Sequence, residues 1–151
     1  MNAWFSRRAW TRGLAPLMLG LLTGVAVYAE SAFVVVVAKD SKAPPKLSND
    51  EVVALFMGTA KSFPNGEKAV PIDHKAGTEG YATFYQKLNG KTEAQMKAYW
   101  SRIMFTGKGQ PPQEAGDGGA VKKLIAANPN MLGYIEASLV DASVRVVAEV
   151  K

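Results

Sequence analysis

Hydrophobic positions along this chain fall into two kinds of pattern: short unbroken β-branched runs, and longer stretches in which apolar residues return every third or fourth position. Phe33–Ala38 reads FVVVVA without polar alternation, the pattern of a strand buried on both faces in a sheet covered by helices. A polar, proline-containing connection over 39–46 follows. Ser48-Asn49-Asp50-Glu51 then has the capping-box spacing of a helix start, with Val52, Leu55 and Phe56 as its apolar face and Gly58 at its end. Phe63-Pro64-Asn65-Gly66 predicts a tight turn leading into a short strand, Ala69 to Asp73.

A second helix is expected from about Gly77 or Thr78 to Leu88, with Tyr81, Phe84 and Leu88 on one side and Asn89-Gly90 as its stop. Thr92-Glu93-Ala94-Gln95 is another capping box, and Met96, Tyr99, Trp100, Ile103 and Met104 follow at helical spacing. That aromatic stripe reads as one buried helix face rather than a ligand cage. From Gly107 to Gly119 the sequence GKGQPPQEAGDGG is loop chemistry, long enough to act as a rim or lid. Ala120–Ala127 predicts a helix and Leu132–Ile135 a short strand. Over 143–150, Val144, Val146, Ala148 and Val150 alternate with Arg145, Val147 and Glu149, as in a half-buried strand. Strands and helices alternating in this way predict an α/β domain.

Charge changes the picture at the N-terminus. Arg7, Arg8 and Arg12 precede an uncharged, mostly apolar run from Leu14 to Tyr28, and no acidic residue comes before Glu30. This is the layout of a signal peptide, with Val27-Tyr28-Ala29 as its processing site and a run shorter than the roughly 20 residues of a membrane-spanning helix. The expected organisation is therefore a leader over 1–29 and one domain over 30–151, exported to the periplasm. Without the leader's three arginines, fifteen basic residues face thirteen acidic ones, so the electrostatic warrant for nucleic-acid binding is lost. The chain has no cysteine and one histidine, His74, which argues against a disulfide framework and against a zinc or copper site. No cofactor is expected.

Candidate chemistry centres on Ile72-Asp73-His74-Lys75-Ala76-Gly77-Thr78, which joins a predicted strand to a predicted helix. Backbone N–H groups at a helix start suit an oxyanion. Lys75 adds a cation, and His74 can donate from its ring. The local alternative is that Thr78 caps the helix and Gly77 turns the chain, with no ligand. Gly107-Lys108-Gly109 lacks P-loop spacing and reads as a surface turn. Ser101 and Ser138 have no local base and there is no nucleophile elbow, so a hydrolase is not expected.

Several of these segments, taken in order, resemble the phosphate-binding proteins of ABC transporters. The stretch from Phe33 through Lys61 is similar to a strand, helix and turn of that family. VPID and AGT resemble the strand and the Ser-Gly-Thr helix start that hold phosphate. Tyr99-Trp100-Ser101-Arg102, FTGKGQPP and ANPNMLGYIE resemble segments of small one-lobe members. The resemblance implies a single three-layer α/β lobe like one domain of a type 2 periplasmic binding protein. It further implies an oxyanion ligand at His74, Lys75, Ala76, Gly77 and Thr78, and a membrane transporter, a sensor or a second lobe as partner. Ala76 stands where the family has serine, which removes one hydroxyl donor. The resemblance covers the family's second lobe, so the first lobe's glycine-rich phosphate loop, and with it half of the family's cleft, is not expected within these residues. A protein-docking module that kept the fold and lost the ligand is therefore the alternative.

Overall fold

The computed structural model describes residues 32–151; the expected leader and its cleavage site lie outside them. Strand β1 is Phe33–Ala38, helix α1 Asn49–Phe56, β2 Val70–Asp73, α2 Glu79–Asn89, α3 Glu93–Phe105, β3 Gln113–Glu114, α4 Gly118–Ala127, β4 Met131–Glu136 and β5 Val144–Val150. The five strands form one sheet in the order β3-β2-β4-β1-β5. β2, β3 and β4 are parallel, and β1 runs antiparallel to both of its neighbours, β4 and β5. The fold is α/β, as the alternation of patterns predicts.

β1 lies inside the sheet and all six of its residues are buried. Phe33, Val35 and Val37 join one apolar cluster with α1, α2 and α3, through Leu55, Phe56, Phe84, Met96 and others. Val34 and Val36 join a second cluster with Val121 and Ile125 of α4. The result is three layers, with three helices on one face and one on the other. Each buried valine or phenylalanine contributes about 1.5–3 kcal/mol relative to exposure, which explains a run without polar relief. Gly133 in β4 faces α4 so closely that a Cβ there would lie 2.6 Å from Val121 Cγ1 and 2.8 Å from Ile125 Cδ1. That glycine sets how near α4 can approach the sheet.

The helix starts are local and match their sequence signals. Ser48 with Glu51, and Thr92 with Gln95, form complete capping boxes. Thr78 caps α2, which ends at Gly90 in the left-handed conformation.

Four details differ from the sequence pattern. The Gly-rich segment is not all loop: Gln113 and Glu114 pair with Ile72 and Asp73 as an edge strand, too short and too polar to carry a period of its own. Helix α4 begins at Gly118, because the Asp117 side chain accepts the Ala120 N–H at 2.9 Å and so stabilises two glycines in the first turn. In β5 the buried residues are Val144, Val147 and Val150 rather than alternate ones. A bulge opposite Val35 and Val36 leaves Val147 as an extra residue, and that shifts its side chain onto the core face. Finally, Met104 and Phe105 at the end of α3 are exposed, Phe105 by 93%, because the core ends at Trp100 and the helix projects beyond it.

Candidate functional site

β2 ends at Asp73, and the chain then turns through Lys75-Ala76-Gly77 into α2. Gly77 takes φ +85°, a backbone conformation that side chains strongly disfavour. Thr78 is the N-cap: its hydroxyl donates to Lys75 O at 2.7 Å and accepts the Tyr81 N–H at 3.3 Å. The Thr78 N–H donates to Lys75 O. Of the first N–H groups of α2, which have no acceptor within the helix itself, Thr78 thus satisfies that of Tyr81, and those of Glu79 and Gly80 remain at the helix start. Lys75, Ala76 and Gly77 are exposed.

The segment 113–116 closes one side of this turn. Gly116 O accepts the Lys75 N–H at 2.8 Å, and the Glu114 carboxylate accepts the Ala76 N–H at 3.2 Å. Ala76 therefore has its backbone donor engaged by the protein's own carboxylate. Glu93 also approaches: a Cβ on Gly77 would lie 3.9 Å from its Oε1. The turn offers donors and the Lys75 cation, but two carboxylates stand beside it.

Behind the turn lies a buried polar cluster. Asp73 is 3% exposed and His74 2%. The Asp73 carboxylate accepts from Tyr85 Oη at 2.7 Å and from Tyr134 Oη at 2.5 Å. Burial pushes its pKa up to about 6, against the opposing effect of the two tyrosine hydrogen bonds, with the Glu114 charge adding to the rise. Burial likewise holds the His74 ring below its ordinary pKa. His74 Nε2 lies 2.9 Å from Tyr134 O, and a carbonyl only accepts, so the proton sits on Nε2. The Tyr134 ring is stacked between His74, at 4.3 Å, and Phe84, at 3.5 Å. On its other nitrogen His74 meets Gly80 of α2, where a Cβ would lie 2.5 Å from Nδ1.

Of the five residues singled out by sequence, Lys75, Ala76, Gly77 and Thr78 thus share one surface turn, while the His74 ring points into the core beneath it. Tyr85, Tyr134 and Glu114 lie outside the segment that the sequence singles out, and Asp73 lies within it without an expected role. A carboxylate ending the apolar run Val-Pro-Ile-Asp was the one available signal. Among the described residues no group of three or more His, Cys, Asp or Glu could hold a metal ion, and no helix is long and apolar enough to cross a membrane.

No family model matches the chain, and no curated protein matches it significantly. Solved structures do. A putative phosphate ABC transporter substrate-binding protein from Clostridium perfringens, solved with bound phosphate, superposes with TM-score 0.61 at 19% identity, covering 77% of this chain and 44% of that one. An ABC-type phosphate transport receptor from Vibrio cholerae gives 0.60 at 15% identity, over 77% of this chain and 45% of that one. PstS from Borrelia burgdorferi gives 0.57 at 14% identity, over 78% and 46%. The chain spans less than half the length of the structures it matches, and its fold is that of a single lobe of a phosphate-type substrate-binding protein.

Proposed function

We propose that this chain is an exported, non-enzymatic solute-binding or sensing lobe for phosphate or a related oxyanion. The ligand meets the turn Lys75-Ala76-Gly77-Thr78, and His74 supports that turn from behind. The observation that carries this reading is the free helix start: Gly77 turns the chain so that the N–H groups of Glu79 and Gly80 and the exposed Lys75 lie at the positive end of α2, where an anion is favoured. The fold likeness to a Clostridium perfringens protein solved with phosphate supports it. Export rests on the leader pattern of residues 1–29. A membrane transporter, a sensor or a second lobe would supply the other wall of the cleft, since one lobe leaves an anion largely in water.

Calorimetric titration with phosphate tests the site, with sulfate as the comparison anion. Thr78→Val removes the cap and should abolish saturable binding, with a melting curve to confirm that the variant is folded. Glu114→Gln removes the charge beside the Ala76 N–H and should tighten binding about fivefold, the effect of one partly screened charge. Absence of binding in both the unaltered chain and Glu114→Gln at millimolar phosphate would refute the proposal. One observation favours a second reading: Glu114 and Glu93 already flank the turn, which suits a docking module whose anion site has been filled internally. Partner capture unchanged by Thr78→Val, together with no phosphate binding, would support that module instead.

A further inference from the structure

A second concavity lies at the opposite end of β2 from the Thr78 turn. This groove of about 570 Å³ runs between the end of α1, the second half of α3 and the segment leading into β3. Met57, Ala60, Trp100, Ile103 and Pro112 are among its lining residues. The walls are fixed from below. The Tyr99 hydroxyl donates to Met57 O at 2.7 Å, tying α3 to the end of α1. Gly58, at φ +72°, lets the Trp100 ring lie over that end, since a Cβ there would be 3.1 Å from Trp100 Cη2. Gly107 and Lys108 donate their N–H groups to Met104 O and Ile103 O, so the Gly-Lys-Gly segment caps α3 and brings Lys108 to the groove.

Two features give the groove chemical character. Lys61 and Lys108 both line it, and among the described residues that line it there is no Asp or Glu. Trp100 is only 5% exposed, and its Nε1–H is buried without an acceptor among the described residues. Native structures rarely leave such a donor unpaired. A mostly apolar pocket of this size with a few polar groups is the common form of a small-molecule site.

We infer that this groove binds a small organic anion: an aromatic or branched aliphatic body against Trp100, Ile103 and Met57, with a carboxylate or similar group drawn by Lys61 and Lys108. The Trp100 ring forms part of the groove wall, so a ligand seated there changes the surroundings of its indole. The site is separate from the oxyanion turn, because β2 enters the groove at Val70 and Pro71 and leaves toward Thr78 only after Asp73.

The test follows the Trp100 Nε1–H resonance by NMR in protein purified after expression of the whole chain, with the peak assigned by its loss in Trp100→Phe. The probe is 4-phenylbutyrate, and 4-phenylbutanol is its neutral counterpart. Saturable displacement of the Trp100 peak by the acid is expected. Binding should be weaker by about fivefold for the alcohol, and weaker by a similar factor for the acid in the doubly substituted Lys61→Met, Lys108→Met chain, as expected of two exposed charges. Excess inorganic phosphate should not displace the probe, whether or not phosphate binds at the turn. A Trp100 peak unmoved at about 20 mM acid, which is weaker than a twelve-heavy-atom ligand should bind in a matched pocket, overturns the inference. So does equal binding of acid and alcohol. A peak that moves with protein concentration alone would assign the groove to the exposed Phe105 of a second copy, and would also overturn it.

Discussion

Asp73 makes the stability of this domain depend on pH in a direction opposite to that of an ordinary salt-bridged carboxylate. Its pKa stands at about 6 in the folded chain against 3.8 as the reference. Between those values the unfolded chain has released the proton and the folded chain still holds it. The contribution of Asp73 is therefore fully present below about pH 4 and is lost as pH rises through 6. The gap of roughly two pH units corresponds to about 3 kcal/mol. His74 runs the other way, because its folded pKa is depressed: its contribution is present above its unfolded value of 6.5 and is lost as pH falls. The two partly offset each other in the unaltered chain. A difference between two chains isolates Asp73. In Asp73→Asn, the amide oxygen can still accept from one of the two tyrosines, the amide NH2 donates to the hydroxyl oxygen of the other, and nothing titrates. Urea unfolding followed by far-ultraviolet circular dichroism, from about pH 4 to pH 7.5, gives the stability of each chain. The stability of the unaltered chain minus that of the variant should fall by about 2.5 kcal/mol across this range, most of the full amount. A difference flat to within about 0.5 kcal/mol would mean that Asp73 is not held in a desolvated site, and would refute the description of the cluster behind the turn.

Two glycines give further tests by melting temperature. Gly133→Ala puts a methyl group 2.6 Å from Val121 Cγ1 and 3.1 Å from Ile72 O; the backbone atom cannot yield, so a loss of about 2–3 kcal/mol is expected, or roughly 4 °C for each kcal/mol. An unchanged melting temperature would show that α4 is not seated on β4 as described. Gly80→Ala collides with the His74 ring, which its bond to Tyr134 O and its stack on Tyr134 hold in place. Its gain of about 1 kcal/mol in helix propensity should be outweighed, leaving a net loss of about 1–2 kcal/mol; a stabilised variant would mean that the ring moves freely.

The sequence by itself determined what neighbouring residues decide among themselves. The run FVVVVA could only be satisfied by cover on both faces. The boxes at Ser48 and Thr92 and the cap at Thr78 join groups three residues apart, so the chain encodes them before any tertiary contact exists. The turn at Gly77 was legible for the same reason, and the α/β class follows from the succession of such elements. Tertiary structure decided whatever joins residues far apart. Tyr134 reaches Asp73 across sixty-one positions and Glu114 reaches Ala76 across thirty-eight, and neither pairing leaves a periodic trace in the sequence. The edge strand β3 exists only because β2 offers it a partner, and the bulge that turns Val147 inward depends on the register of β5 against β1. The same holds for the placement of His74. Its neighbours in sequence suggested a donor at the surface, but the depth of β2 beneath α2 and the flat ring of Tyr134 place it in the core, where burial favours the neutral ring.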